Sequence, residues 1–486
     1  MNYKKIIEYS IYLIALFWSG LFYFFSRGIY GSEHLLSTAQ AAQGLIPFVD
    51  FFEHHGPLQY FIFAPLYNLG GLDIFPFWLI VVNALGALFI INYIFSLFDF
   101  KAYQRHLVSL SFIFFWIILD GFAFVPEPSI AILLAIIYCV LKKVHTLNLF
   151  IAGLFLGLIF LIKPNAFVLL FFALIIWQIY IHHTNIKSVI KNSALLLAGA
   201  VTALMPFIII YRQNLGEVYY WLFQYNSTVV LELGKIWPPN ISSLFFLILI
   251  TNIASLILII SDIKYTRYFL PVISSVILIF ISYPRYGDYH LLPALIGFLI
   301  GNLLIIQTSR TILHNQRRLY KTALILLGVV LIYMSTIYIV NDALPTLSHL
   351  SSQSEYYQLD FSATSQQIIK EKINCKSIYI YPSASLLYLR LPNLQKSKFL
   401  YPTWEWTSTE DMQRKILEDV RLKKIDCYIL NANNNIDNSI IKDYIQQNFI
   451  KREKITYQAY RFNHPLLWPL KLSDQTTGEA GIMLLY

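Results

Sequence analysis

Residues Ser26–Leu66 read SRGIYGSEHLLSTAQAAQGLIPFVDFFEHHGPLQYFIFAPL and form the only long polar interruption in the first hundred residues. They follow directly on a long apolar run over 6–25. Within the stretch, apolar residues over 35–42 recur at spacings of three and four, which predicts a short helix, and Gly44 and Pro47 stop it. The pattern indicates an amphipathic loop that lies on a membrane face.

Three carboxylates of this loop, Glu33, Asp50 and Glu53, are candidates for chemistry. A charged group this close to hydrocarbon is costly unless it has a partner or a function. Glu33 and Asp50 are the stronger candidates, although acidic residues beside a short helix also serve as caps. Glu53 fits a solvated surface carboxylate as well. The adjacent His54 and His55 fit a metal-ligand pair or solvent-facing side chains.

The composition around this loop places the chain in the membrane class. The chain is 57% hydrophobic and only 13% charged, and a bilayer requires about 20 apolar residues per helix. The first apolar run lacks a small-residue cleavage site and is expected to remain as a helix. The apolar runs predict about eleven transmembrane helices, at 6–25, 75–97, 107–123, 126–141, 147–163, 164–181, 193–211, 241–260, 268–283, 289–306 and 321–340.

The basic residues predict the orientation of these helices. With the N-terminus in the cytoplasm, the inner segments hold 14 Lys and Arg and the outer loops of the membrane part hold 5. This is the bias expected of short cytoplasmic loops. The acidic residues are distributed the other way, with 9 in outer loops and 3 inside. The net charge of +9 therefore follows from topology and gives no argument for a nucleic-acid partner.

Four further polar residues are predicted in the other outer loops. Glu127 lies in the sequence VPEP at the start of a helix, where the helix dipole would favour an anion in any case. Lys163, Arg285 and His290 would suit the phosphate group of a lipid substrate. Alternatively, the long basic side chains extend to the membrane surface without binding a ligand.

From about residue 341 the composition becomes polar. Short β-rich runs at Ser377–Tyr381 and Cys427–Leu430 alternate with helical patterns at 365–373, 410–424 and 440–449. We therefore predict a membrane domain over 1–340 and an extracytoplasmic α/β domain over 341–486. Cys139 fits a small packing residue, whereas Cys375 and Cys427 could form a disulfide in an oxidising compartment.

The loop pattern resembles the GT-C type of membrane glycosyltransferases, in particular the protein-mannosyltransferase-like and lipid A aminoarabinose-transferase-like branches. The matching residues are Glu33, Ala42, Gly44, Pro47, Asp50, Phe51, Phe52, His55, Gly56, Pro57 and Leu58. Weaker matches are Glu127–Pro128, the helix with Gly153, Gly157, Lys163 and Pro164, and Pro284–Arg285 before His290. The family commonly has an Asp–Glu pair at the first motif, whereas Ser32 precedes Glu33 here.

The resemblance implies transfer of a sugar from a polyprenyl-phosphate donor to an acceptor at the outer face of the plasma (inner) membrane, with inversion. By position it implies Glu33 and Glu127 as catalytic acids, with Asp50 beside them. The acceptor would be a lipid, a polysaccharide or a protein. A divalent cation, Mg²⁺ or Mn²⁺, could assist, but the sequence does not require one. No sequence motif indicates nucleic-acid binding.

Two other functions remain open. A transporter or flippase of lipid-linked sugars would also have many helices, but it more often shows internal repeats and ionisable groups near the bilayer midplane. The sequence has no evident repeat, and its acidic residues lie toward one face. A non-catalytic membrane scaffold would leave the acidic first loop without a purpose.

Overall fold

The structure is a computed structural model. It describes residues 32–71, 93, 96, 98, 100, 104–105, 111–112, 115, 126–182, 185–228, 243–282, 288–315, 358–359, 377–381, 395–399, 410–425, 427–431, 440–448, 452–460 and 478–485. The predicted spans 6–25 and 321–340, and most of 75–97 and 107–123, lie outside these residues. So do Arg285, Cys375 and the predicted helix at 365–373.

The first loop folds as its pattern predicts. Helix α1, Ser32–Ala42, ends before Gly44, whose φ of 85° is the left-handed conformation that glycine tolerates best. A tight turn over 46–51 follows, and residues 58–71 are helical again after Gly56–Pro57. The loop is therefore two helical segments joined by an irregular stretch.

The described residues of the membrane part contain eight further helices. They are α2 (Glu127–Val140), α3 (Thr146–Ile162), α4 (Pro164–Ile181), α5 (Ile186–Tyr211), α6 (Leu215–Tyr219), α7 (Ser243–Ser261), α8 (Phe269–Leu278) and α9 (Leu292–Asn315). A π-helical turn, Tyr220–Gln224, follows α6, and 3₁₀ turns flank α8 at Ile263–Tyr268 and Ile279–Ser282.

These elements confirm that the seven predicted spans in the described part of the chain are helical, with two changes of length. The span predicted to begin at 193 begins at Ile186, because the Asn185 side chain accepts a hydrogen bond from the Ser188 backbone and caps the helix. The last of these spans continues beyond 306 to Asn315. The total of about eleven spans remains a prediction.

Within the described residues, four helical segments are long and apolar enough to cross a membrane by length and composition: Pro164–Ile181, Ile186–Tyr211, Leu244–Ser261 and Ile263–Ile281. Glu127–Val140, Thr146–Ile162 and Leu292–Thr308 are shorter apolar helices. Large aliphatic side chains remain exposed on these helices, for example Ile190, Ile209 and Ile257. Such exposure is expected of surfaces that face lipid.

Small residues allow α3 and α5 to pack closely. A Cβ at Gly153 would overlap the Leu196 carbonyl, and one at Gly199 would overlap the Phe150 carbonyl. Close approach of two backbones at small residues is typical of helix pairs in membranes. The structure therefore gives Gly153 a packing role.

The ends of the helices meet as the predicted topology requires. Tyr268 donates a hydrogen bond to the Phe98 carbonyl, so two predicted inner segments are adjacent. At the opposite end, Gly56 of the first loop donates to the Ile162 carbonyl at the end of α3. The predicted outer segments thus meet on one face of the membrane part.

The C-terminal residues contain a six-stranded mixed sheet. Its strands are β1 (Gln358–Leu359), β2 (Ser377–Tyr381), β3 (Gln395–Lys396), β4 (Cys427–Asn431), β5 (Arg452–Tyr460) and β6 (Gly478–Leu485), in the spatial order β1-β5-β6-β4-β2-β3. The pairs β2–β3 and β2–β4 are parallel, and the other pairs are antiparallel. Two helices complete the described elements, α10 (Glu410–Leu422) and α11 (Ile440–Asn448).

Four predicted elements of this part are confirmed: the strands at 377–381 and 427–430, and the helices at 410–424 and 440–449. Helix α10 buries one stripe, Met412, Ile416 and Val420, at the helical spacing of four. Cys427 is disulfide-bonded, and Cys139 is a free thiol. The domain boundary at 341 and the extracytoplasmic position of this part remain predictions.

Candidate functional site

An acidic residue, a lysine and a histidine from three separate segments meet at one point. Glu127 is the first residue of α2, Lys163 lies between α3 and α4, and His290 precedes α9. Lys163 Nζ and His290 Nδ1 each lie 2.5 Å from Glu127 Oε1, and they are 2.9 Å from each other. We call these three residues the ion centre.

Prolines explain how the chain brings these side chains to helix ends. Pro126 and Pro128 flank Glu127 at the start of α2, where a missing backbone donor costs nothing. Pro164 begins α4 directly after Lys163, which is extended with φ −153° and ψ 99°. Lys163 therefore joins two helices in a single residue, and its side chain is held at their shared end.

The ion centre is buried at its acidic member. Glu127 has no exposed surface, whereas Lys163 and His290 are 14% and 13% exposed. A buried carboxylate needs a paired cation, which Lys163 supplies. His290 Nδ1 either donates to Glu127 or accepts from Lys163, because one ring nitrogen cannot do both. Glu127 Oε2 has no hydrogen-bond partner within the described part of the chain.

A second cluster surrounds Glu53. Its side chain is fully buried, so the expectation of a solvated carboxylate is wrong. Oε2 accepts a hydrogen bond from Ser37 of α1 at 2.7 Å. Oε1 accepts from the backbone N–H groups of His54 and His55 at 2.9 and 3.1 Å, and it lies 3.1 Å from His55 Nδ1. Four donors thus replace the water that burial removes.

The contact with Glu53 favours one tautomer of His55. With its proton on Nδ1, the ring would donate to Glu53 Oε1 and leave Nε2 as an acceptor. Burial, together with the nearby positive charge of Lys163, lowers the pKa of His55 from its ordinary value of 6.5 to about 3. The ring is therefore neutral at physiological pH.

His34 packs beside this pair. Its ring centroid lies 4.7 Å from that of His55, and its Nδ1 is 2.8 Å from the Tyr60 hydroxyl and 3.2 Å from Gln59 Nε2. Burial lowers the pKa of His34 to about 3, and the neighbouring His55 contributes to the decrease. We call Glu53, His55 and His34 the loop cluster.

A close backbone contact joins the loop cluster to the ion centre. Gly56 donates to the Ile162 carbonyl at 3.0 Å, one residue before Lys163. A Cβ at Gly56 would overlap the Leu161 carbonyl. Only glycine allows the first loop to approach the end of α3 this closely.

The remaining sequence-predicted site residues are Glu33, Asp50 and Arg285. Glu33 is in the first turn of α1, and its side chain is outside the described part. Asp50 is exposed, and its carboxylate accepts a hydrogen bond from the Ile46 backbone at 2.7 Å, which stabilises the local turn. The catalytic roles of both residues remain predictions. Arg285 lies outside the described residues.

Sequence reasoning missed several partners of the site. Ser37, Gln59 and Tyr60 are buried polar residues of the two helical segments, and Asn226 donates to the His54 carbonyl at 3.0 Å. Helical spacing could have found Ser37, because it lies one turn after His34. No local signal connects Asn226 with His54.

The C-terminal part also contacts the first loop. The Phe52 backbone N–H donates to the Lys398 carbonyl at 2.8 Å, and the Phe399 ring packs against those of Phe52 and Trp221. Lys415 of α10 places its ammonium group 3.5 Å from the centroid of the Tyr220 ring. The residue directly before Glu53 is therefore held by the C-terminal part.

One group of side chains has the spacing of a metal site. Ligand atoms of Glu53, His54 and His55 lie within 4.8 Å of one another. Two imidazoles and a carboxylate suit Zn²⁺ or Mn²⁺ better than Mg²⁺, which prefers oxygen ligands. Glu53 already accepts hydrogen bonds on both oxygens, so metal binding would have to replace some of them.

No protein-family model matches the chain, and no curated protein matches it. Solved structures do. The chain is similar to ArnT from Cupriavidus metallidurans in the apo state, with 9% identity, a TM-score of 0.53 and coverage of 99% of this chain and 96% of ArnT. ArnT bound to undecaprenyl phosphate gives 9% identity, a TM-score of 0.54 and coverage of 100% and 98%.

The chain has the fold of ArnT. A third similar structure is an Archaeoglobus fulgidus oligosaccharyltransferase tethered to an acceptor peptide, with 11% identity, a TM-score of 0.42 and coverage of 88% of this chain and 69% of that protein. This agreement in fold is what the resemblance of the first loop implied. Together with the apolar helices it identifies an integral membrane protein.

Proposed function

We propose that this protein is a membrane glycosyltransferase. It transfers a sugar from a polyprenyl-phosphate donor to a hydroxyl group of a lipid, polysaccharide or protein acceptor, with inversion. The observation that carries the proposal is that the ion centre and the loop cluster are adjacent, because Gly56, next to His55, donates to the carbonyl of Ile162, next to Lys163. The fold of an ArnT structure that holds undecaprenyl phosphate supports the same class of donor.

The location of the site suits such a donor. A polyprenyl chain remains in the bilayer, so its phosphate is presented at the membrane surface. Glu127, Lys163 and His290 all lie at ends of apolar helices. A reacting phosphate would therefore reach the ion centre without leaving the membrane.

The reaction needs a proton acceptor and a stabilised leaving group. The acceptor oxygen forms a bond to the anomeric carbon while the bond from that carbon to the phosphate oxygen breaks. The hydroxyl proton passes to a base, and the electron pair leaves with the polyprenyl phosphate. Lys163 and His290 are the groups that would stabilise the phosphate charge.

A first-loop group serves as the base in this proposal. The Glu53–His55 pair is one candidate: Glu53 Oε1 lies 3.1 Å from His55 Nδ1 and would stabilise the imidazolium that forms when Nε2 accepts a proton, which the low pKa of the free ring otherwise disfavours. Glu127 is the alternative base, since its Oε2 lacks a partner within the described residues. Glu33 and Asp50 are retained as candidates from the resemblance.

We further propose that the site faces the outer side of the plasma (inner) membrane, with the N-terminus in the cytoplasm. The excess of basic residues in the opposite loops supports this orientation. The disulfide at Cys427 also supports it, because disulfides persist in oxidising compartments.

The test uses the full chain in lipid nanodiscs with a panel of radiolabelled polyprenyl-phosphate sugars. We expect release of polyprenyl phosphate, and a loss of at least about 100-fold in Glu127→Gln and Lys163→Met. Glu410→Gln and Lys143→Met are matched controls, because both side chains are exposed. Treatment with a chelator, followed by Mn²⁺, Mg²⁺ or Zn²⁺, determines whether a divalent cation takes part.

The same assay separates the proposal from a transporter. If no donor is turned over, while labelled lipid-linked sugar crosses the bilayer of sealed vesicles, the protein moves its substrate and does not transfer the sugar. If neither activity is found, and Glu127→Gln binds the lipids as the native chain does, the scaffold function is favoured.

A further inference from the structure

Asn226 lies two residues after a rare backbone feature beside the site. Residues Tyr220–Gln224 form a π-helical turn, and residues 225–228 continue as a helix. Single π turns are uncommon and occur frequently at functional sites. The turn is packed against the first loop, because Trp221 contacts the Phe52 ring with centroids 4.9 Å apart.

The Asn226 side chain connects this turn to the first loop. Its Nδ2 donates to the carbonyl oxygens of Trp221 and Leu222 in the π turn, at 3.3 and 3.1 Å. The same amide donates to the His54 carbonyl at 3.0 Å, across a separation of 172 residues. The π turn therefore holds the amide in place while it binds the loop.

The His54 carbonyl is not an arbitrary point of the loop. It belongs to the same peptide unit as the His55 N–H, which donates to Glu53 Oε1 at 3.1 Å. A peptide unit is planar, so fixing the direction of its carbonyl fixes the direction of its N–H. Asn226 thus acts on the Glu53 carboxylate through one rigid unit.

Peptide units on both sides of this one are held by other parts of the chain. The Phe52 N–H donates to the Lys398 carbonyl, and the Gly56 N–H donates to the Ile162 carbonyl. Without the Asn226 contact, the peptide unit between His54 and His55 could rotate between these two points. Its rotation would turn a donor away from Glu53 and shift the His55 ring.

We propose that Asn226 is a positioning residue, which orients the Glu53–His55 pair through the peptide unit between His54 and His55. The proposal rests on the proposed function for its consequence in catalysis, since the pair is the suggested base. The effect of Asn226 on the conformation of the loop does not depend on the proposed function. The two parts can therefore be measured separately.

The test compares Asn226→Ala and Asn226→Asp with the native chain in nanodiscs. Asp has the same shape as Asn but presents oxygen to three carbonyl groups, so it removes the donor without creating space. The matched control is Asn302→Ala, because the Asn302 amide donates only to the Phe298 carbonyl of its own helix in the described structure. Hydrogen exchange of residues 52–56 reports on the loop, and steady-state kinetics report on catalysis.

We expect both Asn226 variants to exchange the His55 and Gly56 amides about tenfold faster, the effect of one lost hydrogen bond. We expect kcat to fall about 10- to 100-fold while the donor KM stays within about twofold. Combining Asn226→Ala with Glu53→Gln should cost little more than Glu53→Gln alone, because both changes act on one group.

Native exchange in residues 52–56 of both Asn226 variants would overturn the proposal. An equal loss of kcat in Asn302→Ala would also overturn it. So would a double variant whose loss of kcat is the product of the losses in Asn226→Ala and Glu53→Gln. If the native chain turns over no donor, the proposed function fails, and the exchange measurement still decides whether Asn226 orients the loop.

Discussion

Replacing Gly56 by alanine tests whether the contact between the first loop and the end of α3 builds the site. The added Cβ would overlap the Leu161 carbonyl oxygen and carbon and the Ile162 carbonyl carbon. All three are backbone atoms of a helix end, so no side chain can rotate to make room. The loop must therefore move away from α3, and the hydrogen bond from Gly56 to Ile162 lengthens or breaks.

The size of the effect follows from these contacts. Inserting a methyl group into packed backbone costs about 1–3 kcal/mol, and the lost hydrogen bond adds about 1 kcal/mol. We therefore expect a loss of about 2–4 kcal/mol in the free energy of unfolding, minus whatever the loop recovers by moving. A shift of about 1 Å between the loop cluster and Lys163 would reduce kcat by about 100-fold.

The assay measures polyprenyl-phosphate release and thermal unfolding of Gly56→Ala in nanodiscs. Gly216→Ala is the control, because a Cβ at Gly216 meets no atom within 4 Å. We expect this control to keep native activity and stability. A Gly56→Ala protein with native kcat and native unfolding temperature would refute the reasoning, since the loop and α3 would then not be in close contact.

Three further predictions concern charge and packing. His34 and His55 have pKa values of about 3 in the folded chain and 6.5 in the unfolded chain. Because the unfolded chain therefore binds more protons, the free energy of unfolding should fall as pH decreases from 6.5 toward 3. At pH 5 the loss in the free energy of unfolding is about 2 kcal/mol per histidine. The measurement is thermal unfolding over a pH series. A His34→Gln variant as sensitive to pH as the native chain would contradict this. Glu127→Gln leaves Lys163 mostly buried without its carboxylate and should lower the free energy of unfolding by about 3–5 kcal/mol. Adding Lys163→Met should recover most of that stability but no activity, whereas a double variant as unstable as the single one would disprove the pairing. Phe399→Ala removes a ring that packs on Phe52 and should lower the free energy of unfolding by about 3 kcal/mol. We also expect faster proteolysis of the C-terminal part and a lower kcat. A native proteolysis rate and a native kcat would show that this contact does not support the loop.

The sequence predicted what local patterns control. Apolar runs indicated seven helices that the structure contains, because a backbone in hydrocarbon must satisfy its own hydrogen bonds. The start of one helix was predicted wrongly. The start of α5 was misplaced because lysines near a helix end resemble a loop, although the Asn185 cap extends the helix through them.

The composition of the site was also partly predictable. The sequence analysis selected Glu127, Lys163 and His290 because a polar residue at the end of an apolar run is costly unless it has a partner or a function. Their predicted position on one side of the membrane is consistent with their meeting. The sequence contained no information on which carboxylate would pair with which cation.

The sequence alone therefore determined the helical membrane class, the resemblance of the first loop and most of the polar candidates. Only the tertiary structure decided that Glu53 is buried with four donors and that Asn226 holds the His54 carbonyl. It also decided that the C-terminal part contacts Phe52. The physical reason is distance along the chain: helix formation depends on residues within one or two turns, whereas these contacts join residues that only helix packing brings together.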